Sequence, residues 1–413
     1  MKRVARCVAV LAAVSVAAVT APVASAHTGE INTVVEAGPY RLVVRALPVD
    51  AGPRAALSFR SSITGRRDGR VVEAARVSVI VIGRAGVRSG PFRTTGLAGT
   101  YYLLVPIPSP NSWRSLRFLI EVDGPLGAAT GRYVPPDLFD QWLFEPYVFA
   151  FAALAAVLFL QGFVRLRRRG RHDHASWSRL VLFGLGLSLT VLALVSPLDV
   201  VGDHFLLSAH MLQHVLLGDA APALMLVALR GPLLFFSIPR PLLRTLSRLR
   251  PVRRAAGWLT RPKVALALWA VAYGGWHVPE AYDYATRHQT VHDTEHASFV
   301  FAGLLVWTLL VDPARHARLS RSQRLGVAAA LFLMGTIISD ILIFSPRALY
   351  PAYADQAERV FRLAPLRDQQ FAGLVMTVDQ MLTLGTFAAF LLWPALRGRR
   401  LARRSVAQRE QPA

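Results

Sequence analysis

The chain has 413 residues, 53% of them hydrophobic and 17% charged, and its 47 Lys and Arg against 25 Asp and Glu give a formal net charge of +22. Mean hydropathy is +0.38, and several apolar runs approach the roughly 20 residues that cross the hydrocarbon of a bilayer, which excludes a soluble globular protein. The basic residues sit in clusters between those runs rather than over one soluble face, so the charge reads as the positive-inside signature of a membrane protein and not as a nucleic-acid surface.

Residues 1–26 carry Lys2, Arg3 and Arg6, then an apolar stretch from Val8 to Val19, then Ala24-Ser25-Ala26. This is the pattern of a signal peptide with an AxA cleavage site, and it puts the following segment outside the cytoplasm. The single cysteine, Cys7, lies in this segment. The mature chain is therefore expected to lack thiols, and any metal chemistry has to use His, Met and carboxylates. Cleavage would leave His27 at the N-terminus, where its α-amine and imidazole could chelate a copper ion.

From 27 to 142 the texture changes to short alternating segments, among them 40–44 (YRLVV), 75–81 (ARVSVIV) and 117–122 (RFLIEV), punctuated by Gly, Pro, Asp and Asn. The pattern predicts an extracytoplasmic immunoglobulin-like β-sandwich. With its opening GPYRLVV, the segment resembles exported domains found beside bacterial copper and oxidase-assembly membrane proteins.

The membrane part, 143–396, divides into seven apolar spans at about 143–164, 180–197, 205–229, 264–279, 291–311, 325–345 and 370–394, followed by a basic tail at 397–413. The overall expectation is a mainly α membrane protein, a seven-helix bundle behind a signal peptide and a periplasmic β-sandwich. With the start outside, seven crossings put the C-terminus in the cytoplasm. The charges agree: about 25 Lys and Arg fall in the segments assigned inside and about 5 in the outer loops.

This topology gives each histidine a depth. His210 and His214 stand four apart in the outer half of the third span, so a helix stacks them on one face. His277 ends the fourth span, and His292, Glu295 and His296 open the fifth from the same side. Ionisable groups in a span are costly and mark function by default. These five histidines are the candidate metal ligands, with interhelical hydrogen bonding the competing explanation. Imidazole suits copper, zinc or iron, and thioether favours Cu(I). Met211 and Met376 are therefore candidate neighbours, although Met in a span also serves as packing. Asp219, Asp340, Asp368 and Asp379 add carboxylates. Asp368 matches the histidine layer in depth and is the first choice, with Glu295, for orienting an imidazole.

Taken in order, His210-Met211-Leu212-Gln213-His214, Ala221-Pro222, Trp276-His277-Val278-Pro279, His292-Asp293-Thr294-Glu295-His296 and the stretch 368–376 (DQQFAGLVM) resemble the CtaG-type cytochrome c oxidase assembly factors associated with caa3 oxidases. The resemblance covers roughly 143–396 and leaves out the β-domain. It implies a seven-span plasma-membrane protein that acts with oxidase subunits, at the copper-loading stage, and is not an enzyme. Ala223 and the shifted Arg230-Gly231-Pro232 depart from the family pattern on the cytoplasmic side, away from the histidines.

Two other functions compete. A copper transporter needs an ion path to the cytoplasm, for which only Asp219 and Asp379 stand below the histidine layer. An intramembrane zinc protease would use His292, Glu295 and His296 as an HxxEH motif, which also requires a third ligand and an open position.

Overall fold

The structure, a computed structural model, describes residues 32–51, 54–82, 88–95, 97–316 and 319–409, with 50, 51, 54 and 394–409 as backbone only. The expected signal peptide, Cys7 and His27 lie outside these residues, as do the last four residues of the basic tail.

Among the described residues nine strands build the N-terminal region: β1 (Asn32–Ala37), β2 (Tyr40–Ala51), β3 (Arg54–Gly65), β4 (Arg76–Ile82), β5 (Arg88–Ser89), β6 (Arg93–Thr94), β7 (Thr100–Pro106), β8 (Arg117–Gly124) and β9 (Gly127–Tyr133). They form two antiparallel sheets, ordered β1-β2-β3-β7-β6 and β5-β4-β8-β9. Strict alternation decides which face is inside. In β4, Val77, Val79 and Val81 are buried while Arg76 and Ile82 at its ends are exposed. The two inner faces meet in one apolar cluster, where the Phe59 ring of the first sheet lies 5.2 Å from Phe118 of the second and 5.5 Å from Tyr133. Each such side chain contributes about 1.5–3 kcal/mol by burial.

Among the described residues thirteen helices follow: α1 (Pro146–Arg167), α2 (Trp177–Val195), α3 (Pro197–His204), α4 (Leu207–Leu229), α5 (Pro232–Ser237), α6 (Arg240–Arg248), α7 (Arg250–Leu259), α8 (Pro262–Trp276), α9 (Pro279–Arg287), α10 (Gln289–Val311), α11 (Arg321–Phe344), α12 (Pro351–Ala354) and α13 (Pro365–Arg409). Among the described residues six helical segments are long and apolar enough to cross a membrane, and they coincide with six of the seven expected spans. The remaining one, 264–279, corresponds to α8, which has only 15 residues. At 1.5 Å per residue it is about 22 Å long, short of the roughly 30 Å hydrocarbon core. Proline sets both limits: Pro262 opens α8, and Pro279 starts a new helix just after His277.

Two glycines bring the histidine helices together. Within α4 the chain makes a π turn at Leu216–Ala220, and α10 crosses it so closely that a Cβ on Gly303 would sit 2.0 Å from the Gly218 carbonyl oxygen. A Cβ on Gly202 of α3 would come within 3.0 Å of the His210 backbone. Any larger residue at either place pushes α3 or α10 off α4.

The β-domain rests on the end of the bundle that carries the histidines. Arg114 donates from Nε to Glu358 Oε1 (2.6 Å) and from a terminal nitrogen to Oε2 (3.0 Å), while Trp113 Nε1 donates to the same carboxylate at 3.1 Å. Beside this pair, Leu138, Val201, Phe205, Leu206 and Val360 form a small apolar cluster.

Candidate metal centre

The chain breaks between α3 and α4 at Phe205-Leu206, so α4 begins with unpaired backbone N–H groups that need an acceptor. Asp368, at the start of α13, supplies it: its carboxylate accepts from Leu207 N (2.6 Å), Ser208 N (3.2 Å) and Ser208 Oγ (2.5 Å). Asp368 thus fixes the helix that carries His210 and His214 instead of orienting a ring directly.

On this helix His210 and His214 are buried, with their Nε2 atoms 2.7 Å apart. His292 and His296 of α10 face them, His292 Nε2 lying 3.4 Å from His210 Nε2 and the His296 ring 5.3 Å from that of His214. Two overlapping groups of potential ligand atoms result, each with all members within 4.8 Å of one another: His210, His214 and His296, and Asp203, His210 and His292. Asp203 Oδ1 lies 3.3 Å from His292 Nε2 and 3.7 Å from His210 Nδ1. Burial, together with the nearby Asp293 carboxylate, pushes the Asp203 carboxyl up to about 8, so a cation beside it would favour its ionised form. Glu295 Oε1 lies 3.6 Å from His214 Nε2.

Hydrogen bonds assign the His210 tautomer. The Tyr353 hydroxyl donates to the Gly202 carbonyl (2.7 Å), so towards His210 Nδ1 (2.9 Å) it must accept. His210 therefore carries its proton on Nδ1 and turns a bare Nε2 towards His214 and His292. Tyr282 donates its hydroxyl to Tyr353 at 2.8 Å and completes the support. A ring held this way is the usual arrangement behind a metal ligand.

The polar atoms left over are concentrated here. His214 Nδ1, His296 Nε2, Asp203 Oδ1 and both oxygens of Glu295 are buried without a hydrogen-bond partner. Unpaired buried groups of this kind are costly, and a cation among the rings offsets that cost for the carboxylates and for His296. Ligands about 2.0–2.1 Å from a tetrahedral ion stand about 3.3 Å apart. The His210–His292 separation meets that figure, whereas the 2.7 Å between His210 and His214 is a ring-to-ring hydrogen bond that has to open by about half an ångström. The donor set of imidazole and carboxylate fits copper, and equally zinc.

The other expected residues lie apart from these groups. His277 donates from Nδ1 to the Tyr273 carbonyl (2.6 Å), leaving Nε2 unpartnered, and belongs to neither group; the Phe299 ring stands 4.4 Å from His214 and 6.4 Å from His277. Met211 and Met376 are fully buried in the apolar cluster with Leu207, Val215, Tyr273 and Phe299. Asp219 accepts from Trp307 Nε1 and, at 2.9 Å, from Thr383 Oγ1. Sequence reasoning missed Asp203 and Tyr353. Asp203 precedes His210 by seven residues, which a continuous helix would also place on its face, and that spacing was the available signal; Tyr353 lies in the single turn α12, which offers none.

A multi-pass membrane protein with a buried histidine and carboxylate cluster under a small β-domain is what the fold and the site define. Residues 157–398, more than half of the chain, match the family described as Cytochrome c oxidase caa3 assembly factor (Caa3_CtaG), and the chain belongs to that family. No curated protein and no solved structure matches it.

Proposed function

We propose that the protein serves oxidase assembly by holding copper between α4 and α10 before the ion passes to an oxidase subunit, without catalysing a reaction. His210, His214, His292 and His296 would hold the ion, with Asp203 and Glu295 supplying negative charge. Bound copper would supply a cation that can be exchanged to a subunit folding outside the membrane. The observation that carries this reading is the set of buried, unpartnered polar atoms converging on one place in a family of oxidase assembly factors. In this reading the chain starts outside, crosses seven times with α8 as a short crossing, and leaves its basic tail in the cytoplasm.

The test is His210→Ala with His214→Ala, scored by copper content of the purified protein, by oxidase spectra and by total cellular copper. Loss of bound copper and of mature oxidase at normal cellular copper is expected. Normal oxidase and unchanged copper content overturn the reading.

One observation favours transport as a second reading. A cavity of about 20 Å³, room for about one water, lies beside the cluster and is lined by His214, Asp219 and Asp379. Transport predicts that the same double variant changes total cellular copper.

A further inference from the structure

A cavity of about 820 Å³ lies at the opposite end of α10 from the histidines, where α7 meets the last turn of α10 and the start of α11. Twelve residues separate His296 from Thr308 at its wall, about 18 Å along the helix. Its charged lining comprises Arg250, Arg253, Arg254, His316, Arg324 and Asp312. The one acid is already engaged, since Asp312 Oδ2 accepts from Arg324 at 3.0 Å and Oδ1 from the His316 backbone N–H at 3.0 Å. Among the described residues Arg250, Arg253 and Arg254 make no ion pair, so three guanidinium groups border the cavity without a carboxylate to balance them.

The walls carry a second feature. Helices α6 (RPLLRTLSR) and α7 (RPVRRAAGWL) bury no residue, and Leu242, Leu249, Val252 and Trp258 are exposed beside the arginines. A short helix with arginines on one side and Leu or Val on the other lies along a membrane surface, apolar side down. The cavity thus opens at the boundary of the span formed by α10, with uncompensated positive charge and adjacent apolar surface. That combination matches a diester phosphate attached to acyl chains, because the apolar surface offers nothing to an inorganic ion.

From this geometry we infer that the α7–α10–α11 cavity is a binding site for the headgroup of an anionic phospholipid, with Arg250, Arg253 and Arg254 as its phosphate ligands and α6 and α7 as the surface on which the acyl chains rest. Arginine suits the task because its planar fork engages phosphate oxygens in pairs. The site is independent of the metal reading, since it shares no residue with the histidine cluster.

The experiment is native mass spectrometry of the purified full-length protein after transfer from zwitterionic micelles to micelles doped with phosphatidylglycerol. One variant carries Arg250→Gln, Arg253→Gln and Arg254→Gln. A control loses equal charge on α6 through Arg240→Gln, Arg244→Gln and Arg248→Gln. Thermal melting and gel filtration check that each is folded, and single Arg254→Gln replaces a triple variant that is not. Retention of phosphatidylglycerol should fall about 10- to 100-fold in the cavity variant and less than threefold in the control, with millimolar inorganic phosphate unable to displace the lipid. Equal losses in the two triple variants, or displacement of the lipid by inorganic phosphate, overturn the inference.

Discussion

The two halves of the molecule treat buried polar groups in opposite ways. In the β-domain the buried tyrosines finish their hydrogen bonds locally: Tyr40 donates to Gly127 O (2.8 Å) and accepts from Leu126 N (3.0 Å), while Tyr101 donates to Glu73 O (2.6 Å) and accepts from Ala75 N (3.1 Å). The rest of that core is apolar apart from the buried Ser61, whose small hydroxyl has no partner among the described residues. In the bundle, four imidazoles and two carboxylates sit between α3, α4 and α10, several with an atom that no partner reaches. The first arrangement maximises stability, and the second gives some of it up, as sites that wait for a ligand do.

Substitutions can pull this contrast apart. The largest effect is expected for Phe59→Ala, which empties space between the sheets and should cost the β-domain about 3–5 kcal/mol; urea unfolding of the full-length protein measures it, and copper content should not change. His292→Ala should do the reverse, lowering copper affinity about 100-fold in a chelator competition while leaving β-domain unfolding where it was, since it removes a proposed ligand that is grouped with Asp203 and His210. Glu358→Gln removes the charge that Arg114 and Trp113 share and should weaken docking by about 1.5–3 kcal/mol, visible as faster proteolytic cleavage near 134–145. Tyr353→Phe takes away the acceptor for His210 Nδ1–H and should lower copper affinity about 10-fold. If Tyr353→Phe instead destabilises the whole protein and leaves affinity alone, the hydroxyl is a packing contact and the contrast loses one of its supports.

Much of this was legible beforehand because period and length are local properties. The alternation in 75–81 reappears as β4, and six long apolar runs reappear as candidate spans. The matching depth of His210, His214, His292 and His296 followed from counting residues along two helices. What was not legible depended on breaks. The expected span 264–279 was already short, but nothing in it showed that α8 would stop at Trp276, ahead of Pro279. The break at Phe205-Leu206 moved Asp203 onto a separate helix and created a helix start for Asp368 to cap, where depth alone had suggested an imidazole partner. Tyr353 reaches His210 from the single turn α12 across a sequence separation of 143 residues, which no pattern encodes.

The bond between Trp113 and Glu358 joins residues 245 apart in the chain. At about 5–20 residues per second of synthesis, Glu358 emerges about 10–50 s after Trp113. The β-domain has all of its strands long before then, so it must wait, folded and undocked, until nearly every helix has been made. Docking of the β-domain on the histidine end of the bundle is accordingly a late step in the protein's own biogenesis, one that cannot precede the synthesis of Glu358.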